Sequence, residues 1–167
     1  AAPHLDKGIM IGALLAIGYH LYRTMAPRVA ILGRHDDGTL RDIKHHAHLA
    51  TSTQVVAIRF DGSLYFANTA HFEDAVLAAM ADHREAKFLL VVGDAINSLD
   101  SSGEEMLHNL VSQLHQTGVE VVFSGLKKQV LDVMRATGLF AFVGEHNIFS
   151  TEDQALNAIS CRLGEEG

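Results

Sequence analysis

The chain has 167 residues, 48% of them hydrophobic and 20% charged, which is enough apolar material for one domain with a real core and argues against a disordered chain. The formal net charge of -7, the absence of tryptophan and the lack of any basic cluster longer than Lys127-Lys128 argue against nucleic acid as a main partner. A single cysteine, Cys161, excludes an internal disulfide and fits a reducing compartment.

Near the start, Asp6-Lys7 is followed by Gly8 to Tyr22, a run without acid, Lys or Arg that ends at Arg23. As a helix this run extends about 23 Å at ~1.5 Å per residue, short of the roughly 30 Å of a bilayer core. It has no basic n-region, and Tyr19-His20-Leu21-Tyr22 stands where a signal peptide would place small residues. The run is apolar all round, with Gly8, Gly12 and Ala16 forming a small-residue stripe, so it reads as part of a membrane helix leaving the bilayer at Arg23. The competing reading is a buried or swapped helix of a soluble protein.

After Pro27, Arg28 to Leu32 predicts a first strand, His35 to Gly38 a turn, and Leu40 to Ile43 a partner strand. The polar stretch 44–54 carries His45, His46 and His48; with no carboxylate or thiol at a recognisable ligand spacing, it reads as a solvated loop rather than a zinc or nickel site. Val55 to Phe60 is the best central-strand candidate. Asp61-Gly62 turns it, and Leu64 to Phe66 forms a second short extended piece whose Tyr65 and Phe66 read as packing residues. Asn68 or Thr69 then caps a helix with Phe72, Ala75, Val76, Ala79 and Met80 on one face.

A strand over 88–92 leads through a loop to Asp100-Ser101-Ser102-Gly103 and a helix from about Glu104 to Thr117. Both Ser101 to Glu104 and Ser102 to Glu105 satisfy the S-x-x-E capping-box spacing, and the pattern leaves open which serine caps. A hydroxyl here also sits where helix amides would hold a phosphate, so an ordinary N-cap and a phosphorylation switch are both readings of it. Asp94, after Gly93, is a solvated turn residue or a loop acid beside that switch.

Val119 to Phe123 predicts the next strand, followed by a short helix with Val130, Leu131 and Met134 inward that ends at Gly138. Leu139 to Val143 reads as an apolar hook or short strand. Ser150 or Thr151 caps a last helix bearing Ala155, Leu156, Ile159 and Leu163 on one face, with Cys161 as half-buried filler. From Val55 onward strand and helix alternate, which requires parallel strands joined by right-handed helical crossovers. The predicted class is α/β, a mixed, mostly parallel sheet with about four packed helices behind an N-terminal apolar helix. No Gly-rich dinucleotide fingerprint, P-loop, nucleophile elbow or H-E-x-x-H occurs. Asp94, Asp100, Ser102 and His108 do not make an enzyme, because Asp100 to Ser102 is a turn spacing and nothing fixes a histidine near it.

The strand, D-S-S-G and helix arrangement resembles the STAS domain, the module shared by sulfate permease (SulP) anion transporters and bacterial anti-sigma factor antagonists. Arg59-Phe60-Asp61-Gly62-Ser63-Leu64-Tyr65-Phe66-Ala67-Asn68 is similar to the R-F-D-G-x-L-Y-F-A-N segment of the transporter branch. Val29 to Arg34 with Leu40 to Ile43 is similar to the opening segment of that branch, and the apolar run ending Leu21-Tyr22-Arg23 looks like its final membrane helix. The resemblance implies an anti-sigma factor antagonist-like fold and no enzymatic activity. It implies residues 1–26 as part of the last transmembrane helix and linker, 27–163 as a cytoplasmic STAS domain, and 164–167 as a tail. The expected function is regulation of a secondary transporter of sulfate, bicarbonate, dicarboxylate or another small anion at the cytoplasmic face of the cell membrane. Its expected partners are the membrane portion of the same transporter, a cytosolic regulatory protein, and a second copy met through the transporter.

The resemblance also implies no cofactor beyond weak nucleotide binding at the helix end. The expected regulatory surface comprises Asp94, Asp100, Ser101, Ser102 and Gly103. In the antagonists the second serine of the motif is phosphorylated, which maps onto Ser102. Here, however, Glu104 and Glu105 would meet a phosphate within one turn, which favours the capping role. The alternative function is a soluble antagonist-type signalling module switched at that serine.

Overall fold

A computed structural model of the chain describes residues 5–25, 27–32 and 53–165. Helix α1 (Leu5–Met25) precedes β1 (Val29–Leu32), β2 (Val55–Phe60), α2 (Thr69–Asp82), β3 (Phe88–Val92), α3 (Ser101–Gln116) and β4 (Glu120–Ser124). Then follow α4 (Lys128–Thr137), the single-turn α5 (Leu139–Val143), a 3-10 turn (Glu145–Asn147), β5 (Ile148–Phe149) and α6 (Glu152–Glu165). The five strands form one sheet in the order β1-β2-β3-β4-β5. β1 runs antiparallel to β2, with Val29 opposite Phe60, and the other pairs are parallel. The predicted mixed, mostly parallel sheet is therefore present, and among the described residues β1 pairs antiparallel with β2. The candidate strand 40–43 and the histidines at 45, 46 and 48 lie outside the described residues.

Strand order and handedness together decide the layering. Each right-handed crossover advances one strand in the same direction, so successive crossover helices land on the same face. On that face Val56, Ile58, Phe60, Leu89, Val91, Val121 and Phe123 meet Phe72, Val76, Leu107, Leu110, Val130 and Met134 in one core cluster. Phe60 and Phe72 pack edge to face, with ring centroids 5.0 Å apart. The alternate side chains Val55, Ala57, Phe88, Leu90, Val92 and Val122 point the other way and are covered by Ala155, Leu156 and Ile159 of α6. β3 is buried at every position because it has cover on both faces, which is why it reads as an unbroken apolar run.

Arg162 fastens α6 across the sheet end. Its Nη1 lies 3.2 Å from Glu120 Oε2 and donates to Asn147 Oδ1 at 2.7 Å, while Nη2 donates to the His146 carbonyl. Thr151, one of the two predicted caps, accepts from the Gln154 amide at 3.3 Å. Thr151→Ala is expected to destabilise the domain by about 1 kcal/mol, read as a lower urea midpoint at unchanged slope.

Four local expectations are corrected. Leu139 to Val143 is a helical turn rather than a strand. Gly138 ends α4 at φ 88°, the chain re-enters a helix, and Leu139 and Val143 meet the core from one side at i and i+4. Leu64 to Phe66 is not a strand: only Leu64 bridges, to Leu99, before a turn begins. Phe66 is 74% exposed and so is not a packing residue. Cys161 lies on the open side of α6, so its thiol is exposed rather than half-buried. The short edge strand β5 had too few residues to register as a strand in the pattern.

Helix α1 leaves its large apolar side chains uncovered among the described residues. Ile9, Met10, Ile11, Leu14, Leu15, Ile17, Tyr19, Leu21, Tyr22 and Met25 remain 48–72% exposed. Among the described residues no helix is long and apolar enough to cross a membrane.

Candidate functional site

The loop from β3 to α3 is held at both ends. Gly93 donates to the Ser124 carbonyl at 2.8 Å, and an added Cβ there would stand 2.4 Å from Leu126. Ile96 and Leu99 plug the loop into the core. Leu64 then acts as a one-residue strand beside the loop's end: its amide donates to the Ser98 carbonyl at 3.0 Å and its carbonyl accepts from the Asp100 amide at 3.1 Å.

Asp100, and neither serine, is the N-cap of α3. Its backbone is extended, at φ -93° and ψ 178°, and Oδ1 accepts from the Gly103 amide at 2.7 Å. Its Oδ2 accepts from the Phe66 amide at 3.0 Å. The carboxylate offers a separate oxygen to each of two amides that come from different directions, which settles the choice left open by the spacing of Ser101 and Ser102 against Glu104 and Glu105. The helix consequently begins at Ser101, ahead of the predicted start at Glu104. Ser101 is exposed, Ser102 half-buried and Gly103 buried. Gly103 has no room for a side chain: a Cβ would stand 2.8 Å from the Leu64 carbonyl oxygen and 2.9 Å from Leu99 Cδ1.

Ser102 lines an open groove of about 240 Å³ between the starts of α2 and α3, together with Thr69, Ala70, Glu73, Glu105, Met106 and Asn109. No lysine or arginine is among these lining residues. A phosphate on Ser102 would meet Glu73, Glu105 and the capping carboxylate of Asp100, a cost that the positive helix end offsets only in part. Four of the five predicted residues, Asp100 to Gly103, are thus one contiguous feature. Asp94 is placed apart from them, exposed and against Gly125 after β4, where φ is 68° and an added Cβ would stand 1.6 Å from its Oδ1.

The arrangement presents a hydroxyl without activating it. Both oxygens of Asp100 are engaged by amides, and the His108 ring, about 9 Å further along the helix, stacks on Phe142 with centroids 4.1 Å apart. Glu73 and Asn109 escaped the sequence reading, in which Thr69 stands only as a candidate cap. Their i, i+4 and i, i+7 spacings to Thr69 and Ser102 mark helix faces, but only the packing of α2 on α3 brings the faces together. Asn68 stands at the predicted N-cap of α2 but does not cap with its side chain. Its Oδ1 instead accepts from the Tyr65 amide and its Nδ2 donates to the Ser63 carbonyl, closing the turn before the helix.

Comparison with known proteins now adds the family. The family model for the STAS domain matches residues 46–155. A probable sulfate transporter 4.2 of Arabidopsis thaliana is 26% identical over 156 residues, covering 87% of this chain and 23% of the relative. The murine Solute Carrier 26 family member A9 anion transporter, in its inward-facing state, superposes with a TM-score of 0.73 at 21% identity over 94% of this chain and 26% of that one. The STAS domain of a SulP transporter from Vibrio cholerae superposes with a TM-score of 0.55 at 23% identity, over 66% of this chain and 83% of that one. The chain thus spans about a quarter of the length of the curated relatives it matches. The matched segment contains strands β2 to β5, the Asp100 cap and the Ser102 groove, so the chain belongs to the STAS domain family.

Proposed function

We propose that this chain is the cytoplasmic regulatory domain of a membrane anion transporter of the sulfate-permease class. Residues 1–26 are the end of its last membrane helix and the linker, 27–163 the cytoplasmic domain, and 164–167 a short tail whose first two residues still belong to α6. The observation that carries the reading is α1. It is a helix of 21 residues with apolar side chains exposed on every side, joined through Pro27 and Arg28 to a folded STAS domain. Such a surface is costly in water and stable in lipid. The anion, whether sulfate, bicarbonate, a dicarboxylate or another, is handled by the membrane portion, and the domain performs no chemistry.

The working surface of the domain is the groove beside Ser102. A protein that docks there with different affinity in two transporter states shifts the balance between those states. Charge reversal at the rim, Glu73→Lys with Glu105→Lys, is expected to change anion uptake by the full-length transporter in proteoliposomes by at least about fivefold, the low end of usual coupling energies. Unchanged uptake and unchanged partner capture by the double variant and by Ser102→Ala would remove the regulatory role from this surface. Stoichiometric phosphate on Ser102 in cells would instead favour the soluble, antagonist-type module.

A further inference from the structure

The segment from Arg59 to Asn68 touches two places that lie far apart in the chain. At its start the Asp61 amide donates to the Arg28 carbonyl at 3.1 Å, in the linker that follows α1. Gly62 lies against the ring of Pro27, where an added Cβ would stand 3.1 Å from Pro27 Cβ, and His71 Nε2 lies 3.1 Å from the Pro27 carbonyl. In the middle, Leu64 is buried at 1% exposure, and its amide and carbonyl pair with Ser98 and Asp100. Asn68, also 1% exposed, closes the turn by accepting from the Tyr65 amide at 3.1 Å and donating to the Ser63 carbonyl at 2.7 Å. At its far end the Phe66 amide donates to Asp100 Oδ2, while the other oxygen of the same carboxylate caps α3.

We infer that residues 59–68 are a strap that makes the linker at Pro27-Arg28 and the N-terminus of α3 one mechanical unit. Phe66 explains why the far end is a controllable joint rather than ordinary packing. Its side chain is 74% exposed, so no burial holds it, and its amide is held by the Asp100 carboxylate. Any event that draws Asp100 or the first turn of α3 away from Phe66 loosens the grip on the linker, and a pull on the linker reaches the α3 cap in return, since coupling between two sites is reciprocal. The strap is a property of the folded domain, and it stands whether or not the Ser102 groove takes a partner.

Asp100→Asn tests it with little damage to the fold, because asparagine is a good N-cap and its one side-chain carbonyl keeps the Gly103 amide, leaving none for Phe66. In amide hydrogen exchange on the 167-residue chain in mild detergent, exchange at Phe66 and at Asp61 is expected to rise roughly fivefold, the factor for one hydrogen bond of usual net strength. Amides of β3 stay as they are. His71→Ala, at the other end, is expected to speed exchange at Phe66 as well as at Asp61. Faster exchange at Phe66 alone in Asp100→Asn, with Asp61 unmoved, overturns the strap. If Asp100→Asn loosens the whole domain, the His71→Ala variant decides: an unchanged Phe66 amide overturns the inference, and a faster one supports it.

Discussion

Gly103→Val is expected to lower the thermal midpoint of the domain by roughly 10 °C, a loss of about 3 kcal/mol for a domain of this size. The cause is space rather than backbone conformation. Gly103 sits in the first turn of α3, and the first atom of any side chain there would stand 2.8 Å from a backbone oxygen, that of Leu64, and 2.9 Å from the side chain of Leu99. A backbone oxygen does not move aside as a flexible side chain does. The start of the helix must therefore lift, which also draws the Gly103 amide from Asp100. Gly164→Ala is the control, since an added Cβ there meets nothing within 4 Å. Its midpoint should stay level or rise slightly, because alanine replaces glycine within a helix. Equal midpoints for Gly103→Val and the parent chain would mean that α3 does not start against Leu64.

The second large effect concerns α1. Replacing Ile11 and Leu15 together with aspartate is expected to lower partition of the chain onto phospholipid vesicles more than about a hundredfold, as read by flotation. An aspartate at the centre of a membrane helix costs roughly 2.5–3.5 kcal/mol, and the two positions lie one turn apart on a surface that is 58% and 69% exposed. The same double change leaves the thermal midpoint of the STAS domain where it was, because neither side chain contributes to its core. Flotation of the double variant equal to that of the parent, or a parent that does not float, would remove the membrane reading of α1.

Several residues show why some of this was legible in the chain and some was not. Phe88 to Val92 declares a doubly covered strand because no polar side chain interrupts it, and the regular alternation of strand and helix leaves parallel pairing as the only economical topology. Phe72, Val76 and Ala79 recur at helical spacing and are all buried in α2. Phe66, by contrast, is as apolar as Phe72 yet is exposed, since a turn closed by the Asn68 side chain points it outward. Ser101 and Ser102 carry the spacing of a capping box, but the cap went to Asp100 because the Phe66 amide, 34 residues away in sequence, needed an acceptor at that place.

By itself, then, the sequence determined the class of fold, the alternation of strands and helices, the motifs that carry the family resemblance and the position of the α3 start to within a few residues. Those properties follow from periodicity, turn chemistry and local motifs, which act over one turn or one strand. Only the tertiary structure decided that Asp100 serves two amides, that the groove beside Ser102 is shared with Thr69 and Glu73, that Asp94 stands apart at Gly125, and that the Arg59 to Asn68 segment ties the linker to α3. Each depends on which distant amide or side chain arrives at a given carboxylate, and that is set by packing across the sheet rather than by any spacing along the chain.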